Sequence, residues 1–357
     1  MEVKKSNWRK FLDMFSSTDK VLVTGGLGYV GSHTVVELMQ AGYEVLVIDN
    51  LSNSNIDVLY GIEKITGKKP QFENIDCIDF VAMDHFLAKN EDIKCVVNFA
   101  SYKAVRDSRI NPTKYYRNNL MTVINLMELL PIHKIHGIVL SSSCSVYGQV
   151  TKAPIEEKTP LRQPLSPYSN TQQISEEILA DSIASKENIQ GIVLRYYNAI
   201  GAHPSCEIGE YPHGAVSNIV PLITQVALGQ RESIKIFGND YNTPDGTIIR
   251  DYIDVVDLAQ AYVKAVDRIC KKKVKGLETF NIGSGKGYSM LDIITEFEEA
   301  TGIRVPFDIE ERKKGDIEKV WVSPAKANKT LKWEATTPME ETLRNAWLWQ
   351  KKIANKQ

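Results

Sequence analysis

The sequence predicts a doubly wound α/β fold, in which a parallel sheet carries helices on both faces and a smaller mixed α/β lobe follows it. Two observations predict this fold. From Lys20 onward, short apolar runs alternate with amphipathic segments of helix length, and the first apolar run ends in a glycine-rich turn. Such alternation is typical of parallel sheets, whose ligands bind at the carboxyl ends of the strands. The 357 residues suffice for two lobes with cores of their own.

The apolar runs and the segments between them predict individual strands and helices. Strands are expected at Lys20–Thr24, Glu44–Ile48, Pro70–Ile75, Cys95–Phe99, Gly137–Ser141 and Gly191–Arg195. Helices are expected at Tyr29–Met39, Ser54–Thr66, Ala82–Lys89, Tyr115–Leu130 and Gln173–Ser185. After Tyr197 the pattern predicts a loop over Asn198–His213, a strand at Ser233–Phe237, and helices at Ser217–Leu228, Val255–Arg268, Met290–Ala300 and Pro338–Lys351. We therefore expect an N-terminal extension (1–19), a sheet domain (20–197) and a substrate-binding lobe (198–357), with the ligand cleft between the two lobes.

The turn after the first strand carries three spaced glycines, Gly25, Gly28 and Gly31. The first permits a tight turn, the second lets the backbone approach a pyrophosphate, and the third allows the next helix to pack closely on the strand. The second strand leads into Asp49, whose carboxylate can bond a ribose 2′-OH and would repel a 2′-phosphate. A glycine triplet alone is often just a tight turn. Strand, turn, helix, strand and acid in this order predict a Rossmann-type domain that binds NAD rather than NADP.

The composition argues against several other classes of function. The formal net charge is −1, so a nucleic-acid-binding surface is not expected, and the basic run Lys271–Lys275 is interpreted as a solvated loop. The five cysteines are scattered and lack Cys-x-x-Cys spacing, which suits a reducing cytoplasm and implies neither disulfides nor a metal site. No apolar run is long enough to cross a membrane, and residues 1–19 lack the apolar centre of a signal peptide.

Hydroxyl groups follow the fifth predicted strand. Three consecutive serines, Ser141 to Ser143, precede Cys144 and Ser145, and a hydroxyl at this place would face the nicotinamide. A serine-rich turn would be the simpler interpretation if this stretch stood alone. Downstream, Pro167 and Tyr168 open a helix, which places a phenol beside the same strand ends. A buried core tyrosine is the alternative interpretation of Tyr168.

Together with further segments, these motifs resemble the UDP-galactose (UDP-glucose) 4-epimerases of the extended short-chain dehydrogenase/reductase superfamily. The resemblance extends from about Lys20 to Lys351. It rests on Thr24–His33, Asp49–Asn50, Asn98–Ala100, Lys103–Val105, Asn119, Ser141–Ser143, Val146–Gly148, Leu194–Asn198 and Gly201–His203. Its most specific part is Phe237–Tyr241 with Asp245–Thr247 and Arg250–Tyr252.

The resemblance implies a role for each matching position. Ser143 and Tyr168 would stand at the C4 hydroxyl of the sugar. Beside the glycines, NAD would be surrounded by Tyr29, Val30, Asp49, Asn50, Leu51, Ser52, Asn53, Ser54, Asp76, Cys77, Phe99, Ala100, Ser101, Lys103, Asn119 and Tyr197. The uridine diphosphate would be held by Asn198, Asn218, Ile219, Phe237, Arg250 and Asp316. Arg250 can bond a diphosphate in fork geometry, and Phe237 offers apolar contact for the base.

The main departure from the family pattern Tyr-x-x-x-Lys is Gln172, four residues after Tyr168. The family lysine bonds the nicotinamide ribose and lowers the pKa of the tyrosine. Because a free tyrosine has a pKa of ~10, its full ionisation at neutral pH needs about 4 kcal/mol. A cation about 5 Å away supplies roughly 3 kcal/mol, whereas one hydrogen bond from an amide supplies about 1 kcal/mol. Gln172 is therefore expected to replace the ribose contact but not the charge.

Two further positions depart from the family or vary within it. Lys313 stands where an arginine normally grips the diphosphate, and a point charge should hold it less rigidly. Val320 occupies a position where members of the family carry either a tyrosine or a small residue beside the sugar. The family associates the small residue with acceptance of N-acetylated sugars, so we expect a roomy sugar pocket.

Three hypotheses of function follow. In an epimerase, Tyr168 takes the proton of the 4-hydroxyl, NAD takes the C4 hydride, and the 4-keto sugar turns over before the hydride returns to its other face. Related dehydratases and decarboxylases place a carboxylate before the Val146–Gly148 turn, where this chain has Cys144 and Ser145. A non-catalytic protein that binds NAD or a sugar nucleotide is supported by Gln172. The epimerase is preferred, with a UDP-hexose as substrate and a homodimer as the family expectation.

Overall fold

The computed structural model describes residues 19–150, 152–185, 188–211, 216, 218–313 and 316–355, so the predicted extension lies outside the described residues except for Asp19. The strands are β1 (Lys20–Thr24), β2 (Glu44–Asp49), β3 (Gln71–Asn74), β4 (Ile93–Asn98), β5 (Gly137–Ser143), β6 (Gln190–Tyr196), β7 (Asn198–Ile200), β8 (Ile234–Phe237), β9 (Ile249–Arg250), β10 (Tyr252–Asp254), β11 (Leu277–Asn281), β12 (Tyr288–Ser289) and β13 (Phe307–Glu310). The helices are α1 (Tyr29–Gln40), α2 (Val58–Thr66), α3 (Phe80–Lys89), α4 (Val105–Ile110), α5 (Pro112–Ile132), α6 (Pro167–Ala184), α7 (Ile219–Ala227), α8 (Val255–Cys270), α9 (Met290–Thr301), α10 (Ala325–Leu331) and α11 (Met339–Ala354). A 3₁₀ turn covers Cys144–Tyr147.

The central element is a seven-stranded parallel sheet in the order β11-β6-β5-β4-β1-β2-β3. The predicted doubly wound fold is confirmed, the six strands predicted before Tyr197 are all in this sheet, and the strand predicted at Ser233–Phe237 is β8. Strand order reverses between β1 and β4, and this is the point where open α/β sheets bind their ligands. The glycine-rich turn follows β1, and the turn after β4 lies beside it.

Two apolar layers cover the faces of this sheet. Side chains alternate across a strand, so Val21 and Val23 face one layer while Leu22 faces the other. The first layer includes Val35 from α1 and Tyr262 from α8. The second layer includes apolar side chains of α3, α5 and α6. Because both faces are covered, the polar ends of the strands are the places left for a site.

Some predicted boundaries were wrong. Helix α6 begins at Pro167, which confirms the prediction that Pro167 and Tyr168 open a helix and corrects the apolar segment expected from Gln173. The Ser166 hydroxyl accepts a hydrogen bond from the Ser169 amide at 3.1 Å, and proline suits the first helical position. Helix α2 begins at Val58 rather than Ser54, whose hydroxyl donates to Asp49 at 2.7 Å. The predicted loop after Tyr197 contains the short strand β7, which pairs with β10.

The chain after residue 197 contributes to both lobes. Strand β11, which the sequence pattern did not predict, is an edge of the large sheet, and α8 packs on its first apolar layer. Another apolar cluster joins α7, β8, α9 and α11 into the smaller lobe. Between them, Ile155 bridges to Val322 and the Val320 amide donates to the carbonyl of Ile249 at 3.1 Å. These contacts bring the segment after β13 to the carboxyl ends of the sheet strands.

Candidate active site

The glycine-rich turn is a backbone cradle at the amino end of α1. Gly25 has a backbone φ of +67°, a conformation that residues other than glycine rarely adopt. A Cβ on Gly31 would lie 2.2 Å from the Gly25 carbonyl oxygen, so only glycine allows α1 to start this close to β1. A Cβ on Gly28 would meet the same oxygen at 3.2 Å, which leaves the outer side of that residue open to a ligand. This arrangement fits a dinucleotide pyrophosphate.

Asp49 lies at the end of β2 beside this cradle. Its buried carboxylate accepts hydrogen bonds from the Leu27 amide at 3.1 Å, the Leu51 amide at 2.9 Å and the Ser54 hydroxyl. These donors hold the carboxylate, and Leu51 takes a φ of +57° in the tight turn. A fixed carboxylate at this place suits an adenosine ribose and disfavours a 2′-phosphate.

Other predicted cofactor residues lie in the turns that follow β2, β3 and β4. The Asn50 amide donates to Asp76 at 3.0 Å, and Asn119 on α5 bonds both the Tyr102 backbone and the Thr171 hydroxyl. Burial raises the pKa of the Cys77 thiol to about 12, so it acts as an apolar group. The backbone at Phe99 and Ala100 lies against Gly25. Most of the remaining predicted residues of this group occupy the same turns or α1, and they are Tyr29, Val30, Ser52, Asn53, Ser101 and Lys103. Tyr197, which was also predicted to contact NAD, lies instead between β6 and β7, near Arg250.

Ser143 and Tyr168 meet at the carboxyl end of β5. Ser143 is the last residue of the strand, and its hydroxyl accepts a hydrogen bond from the Ser145 amide at 3.1 Å. Burial raises the pKa of Tyr168 well above its usual value, and the neighbouring Tyr196 phenol raises it further. The polar Ser143 side chain lies near enough to the phenol to lower that pKa in part. The pair can thus share a proton with a hydroxyl of a bound sugar.

Gln172 lies one helical turn after Tyr168, and its side chain is only 4% exposed. The side-chain amide is neutral, so it brings no positive charge to the phenol. Lys103 is engaged elsewhere, since its Nζ lies 3.6 Å from Glu210 and 5.6 Å from the centre of the Tyr29 ring.

Arg250 on β9 carries a partly buried guanidinium, which makes it a candidate for binding an anion. Burial lowers the pKa of its guanidinium, while the charge of Asp316 and the phenols of Tyr252, Tyr197 and Tyr241 act to raise it. Among the described residues, the buried hydroxyls of Tyr197 and Tyr241 have no hydrogen-bond partner. Unpartnered buried hydroxyls beside a desolvated guanidinium fit the oxygen atoms of a bound nucleotide.

Two residues with buried, unpartnered hydroxyls, Tyr241 and Ser145, were not assigned a role from the sequence. Tyr241 ends the most specific motif of the resemblance, so the motif itself was a signal for it. Ser145 follows the serine run, and its buried hydroxyl also has no partner in the described part of the chain. Its backbone contact with Ser143 places it at the sugar end of the cleft.

The other predicted substrate residues are placed as follows. The Asn198 amide donates to the Asp251 carbonyl at 2.9 Å, and the Asn218 amide donates to Glu210, also at 2.9 Å. Ile219 is buried at the start of α7. The Lys313 Nζ lies 3.5 Å from the centre of the Phe237 ring, so it occupies the aromatic face that was predicted for the base. Val320 is 1% exposed and packs in an apolar cluster with Cys144 and Tyr147.

Within the described ranges, no group of three or more histidine, cysteine, aspartate or glutamate side chains is arranged to hold a metal ion. The same ranges contain no helix that is both long and apolar enough to cross a bilayer.

The fold, the glycine cradle and the Ser143–Tyr168 pair define an NAD-type enzyme of the extended short-chain dehydrogenase/reductase class. Residues 22–346 match the family model of GDP-mannose 4,6 dehydratase. The chain is 43% identical over 332 residues to UDP-glucose 4-epimerase of Dictyostelium discoideum and 44% identical over 335 residues to that of Bacillus subtilis (strain 168). These alignments cover 93% and 94% of this chain, and 96% and 98% of the relatives. The chain belongs to the UDP-glucose 4-epimerase family.

Solved structures agree with this family. A UDP-glucose 4-epimerase from Stenotrophomonas maltophila, crystallised with NAD and formylated UDP-arabinopyranose, superposes with a TM-score of 0.92 at 38% identity, covering 95% of this chain and 100% of that one. A Bifidobacterium longum epimerase in complex with NAD⁺ and UDP gives a TM-score of 0.89 at 38% identity, covering 94% and 99%.

Proposed function

We propose that the protein catalyses the NAD-dependent 4-epimerisation of a UDP-hexose, interconverting UDP-glucose and UDP-galactose. The observation that carries the proposal is the Ser143 side chain next to the buried Tyr168 phenol, beside a glycine cradle and with the partly buried guanidinium of Arg250 in the other lobe. Relatives with this name share more than 40% of the sequence, and two similar structures were crystallised with NAD.

The residues divide the work by their position. Asp49 and the backbone around Gly28 hold NAD, which when bound accepts and returns a hydride at the sugar C4 atom. Tyr168 takes the proton of the 4-hydroxyl and gives it back, while Ser143 orients that hydroxyl. Arg250 and the unpartnered phenols hold the diphosphate. This grip leaves the sugar free to turn over between the two half-reactions.

A protein that binds sugar nucleotides without catalysis is the second candidate, and Gln172 is the observation that favours it. The test is turnover of UDP-galactose by purified protein without added NAD, because a cofactor regenerated in every cycle stays bound. We expect UDP-glucose to form, with activity abolished in Tyr168→Phe. Binding of UDP-galactose without turnover from neutral to alkaline pH would favour the second candidate.

Finer features of the proposal concern substrate, assembly and location. The small Val320 side chain supports acceptance of UDP-N-acetylglucosamine and UDP-N-acetylgalactosamine.

A homodimer is supported by exposed apolar side chains on α4 and α5, where Ile110 is 68% and Met121 38% exposed. Light scattering of the purified protein would test whether it is a dimer.

The five free cysteines suit the reducing cytoplasm. We count α8 and β11 with the NAD-binding lobe, and the other elements after residue 197 with the substrate-binding lobe.

A further inference from the structure

A network of buried polar side chains lies beneath Ser143 and Tyr168, and the proposed reaction leaves it without a role. Its centre is an ion pair between Glu176 on α6 and Arg195 on β6, whose side chains are both more than nine-tenths buried. Arg195 donates through Nε to the two carboxylate oxygens, at 2.9 and 3.2 Å, and also through Nη2. The orientation of the carboxylate is therefore fixed.

This pair joins the two elements that carry the reacting hydroxyls. Ser142 and Arg195 are register partners in the β5–β6 ladder, so their side chains leave the sheet on the same face. Glu176 approaches that face from α6 and accepts a hydrogen bond from the Ser142 hydroxyl at 2.5 Å. Ser142 precedes Ser143 directly, and Glu176 lies two turns after Tyr168 on one helix face. One carboxylate thus ties the end of β5 to α6.

A second arm of the network reaches the substrate side of the cleft. Arg195 donates through Nη1 to the Tyr147 phenol at 2.9 Å, and that phenol donates to the Asn281 side chain at 2.7 Å. Asn281 in turn donates to the carbonyl of Ile155, the residue that bridges to Val322. The ion pair is therefore connected to the turn after β5 and to the segment that follows β13.

Stability alone gives little reason for such a pair, because the desolvation of two buried charges largely offsets their attraction. What the pair supplies is a fixed geometry. We propose that Glu176, held by Arg195, is a positioning residue that keeps the Ser143 hydroxyl against the Tyr168 phenol by holding Ser142. The proposal rests on the proposed function, since it assigns the network to alignment of the proton-transfer pair.

The test is Ser142→Ala, which removes the link to the strand end and leaves the ion pair intact. Because a displacement of 1 Å can cost about 100-fold in rate, we expect kcat for UDP-galactose to fall at least about tenfold. The KM, the NAD content and the melting temperature should stay close to those of the wild type. Ser175→Ala is the matched control and should keep the wild-type kcat, since Ser175 is a buried serine of α6, next to Glu176 but outside the network.

Two results would overturn the proposal. One is a wild-type kcat in Ser142→Ala, and the other is a lowered melting temperature with normal turnover of the folded fraction, as a merely structural link would give. If the wild-type protein itself shows no turnover, the proposed function fails, and crystal structures of both variants decide the positioning claim. The Ser143 hydroxyl should then leave the Tyr168 phenol in Ser142→Ala but not in Ser175→Ala, and an unmoved hydroxyl would overturn it.

Discussion

At the scale of the residue, the difficulty of the reaction lies in ionising Tyr168. Burial and the Tyr196 phenol raise its pKa, whereas the nearby Ser143 side chain lowers it in part. Gln172 occupies the place from which a family lysine would supply a positive charge, and Lys103 is paired with Glu210. One hydrogen bond of about 1 kcal/mol does not replace a nearby charge worth roughly 3 kcal/mol. We therefore expect a weak base at neutral pH.

Val320 gives a prediction about sugar specificity. Its side chain packs with Cys144 and Tyr147, in the turn that follows Ser143, and a tyrosine is larger than the space that the valine fills. We expect Val320→Tyr to lower kcat/KM for the two N-acetylated UDP-sugars at least about tenfold, by the loss of roughly 1.4 kcal/mol of binding, and to spare UDP-glucose and UDP-galactose.

The measurement is kcat/KM for all four substrates, with the melting temperature of Val320→Tyr as a check on folding. An unchanged ratio between acetylated and plain sugars in a folded variant would show that this position does not limit the pocket.

At the scale of the element, the turn between β1 and α1 has one glycine that the fold requires, Gly31, and one that NAD binding is expected to require, Gly28. A Cβ on Gly31 would lie 2.2 Å from a backbone oxygen, whereas a Cβ on Gly28 would lie at 3.2 Å with an ordinary φ of −68°. We expect Gly31→Ala to destabilise the fold by about 1–3 kcal/mol. Gly28→Ala should fold nearly normally but retain much less NAD, because its methyl group obstructs the pyrophosphate.

Urea unfolding and quantification of the released nucleotide would measure both effects. Equal NAD content in Gly28→Ala and the wild type would contradict the role of that residue as the point of closest approach.

The elements also show which strands and helix boundaries sequence patterns alone can predict. Five of the predicted sheet strands, β1, β2, β4, β5 and β6, carry apolar runs bounded by turn residues, and the structure confirms them. The start of α6 was marked by Ser166 and Pro167, a cap and a first-turn proline, although apolar periodicity placed it later. Strand β11 is a mixed polar edge strand after a lysine-rich loop, and its pairing with β6 is set by tertiary structure alone.

At the scale of the whole molecule, His33 predicts how stability depends on pH. The imidazole is fully buried, its Nδ1 lies 2.8 Å from the Tyr29 carbonyl, and its Nε2 has no partner among the described residues. Burial lowers the pKa of His33 to about 3 from an ordinary value of 6.5. The unfolded chain thus binds the proton more readily, so stability present above about pH 6.5 is lost as the pH falls toward 3.

Between pH 7.5 and pH 5 this effect amounts to about 2 kcal/mol. Urea unfolding at the two pH values should therefore show a smaller loss of stability in His33→Asn than in the wild type. His85→Asn, at an exposed site, is the control and should behave like the wild type. An equal loss in His33→Asn would contradict the assignment of the pH effect to His33.

The whole molecule also shows contacts between residues far apart in the sequence, which sequence patterns do not predict. The motifs predicted NAD and UDP-sugar residues because each motif is local, and the structure places Ser143 near Tyr168. The pairing of Glu176 with Arg195 was not predicted: Arg195 ends a predicted strand, but Glu176 lies 19 positions before it, and no local pattern joins the two. The unpartnered phenol of Tyr241 was likewise visible only after folding.

The most direct test of the account is the pH–rate profile of the wild type and Gln172→Lys with UDP-galactose, at equal NAD content. We expect wild-type turnover to be low near neutral pH and to climb toward alkaline pH with the ionised fraction of Tyr168. Gln172→Lys should raise neutral-pH turnover by roughly tenfold or more and shift the alkaline limb to lower pH. Flat and equally fast profiles in both proteins would contradict the claim that Tyr168 acts as a base that lacks its cation.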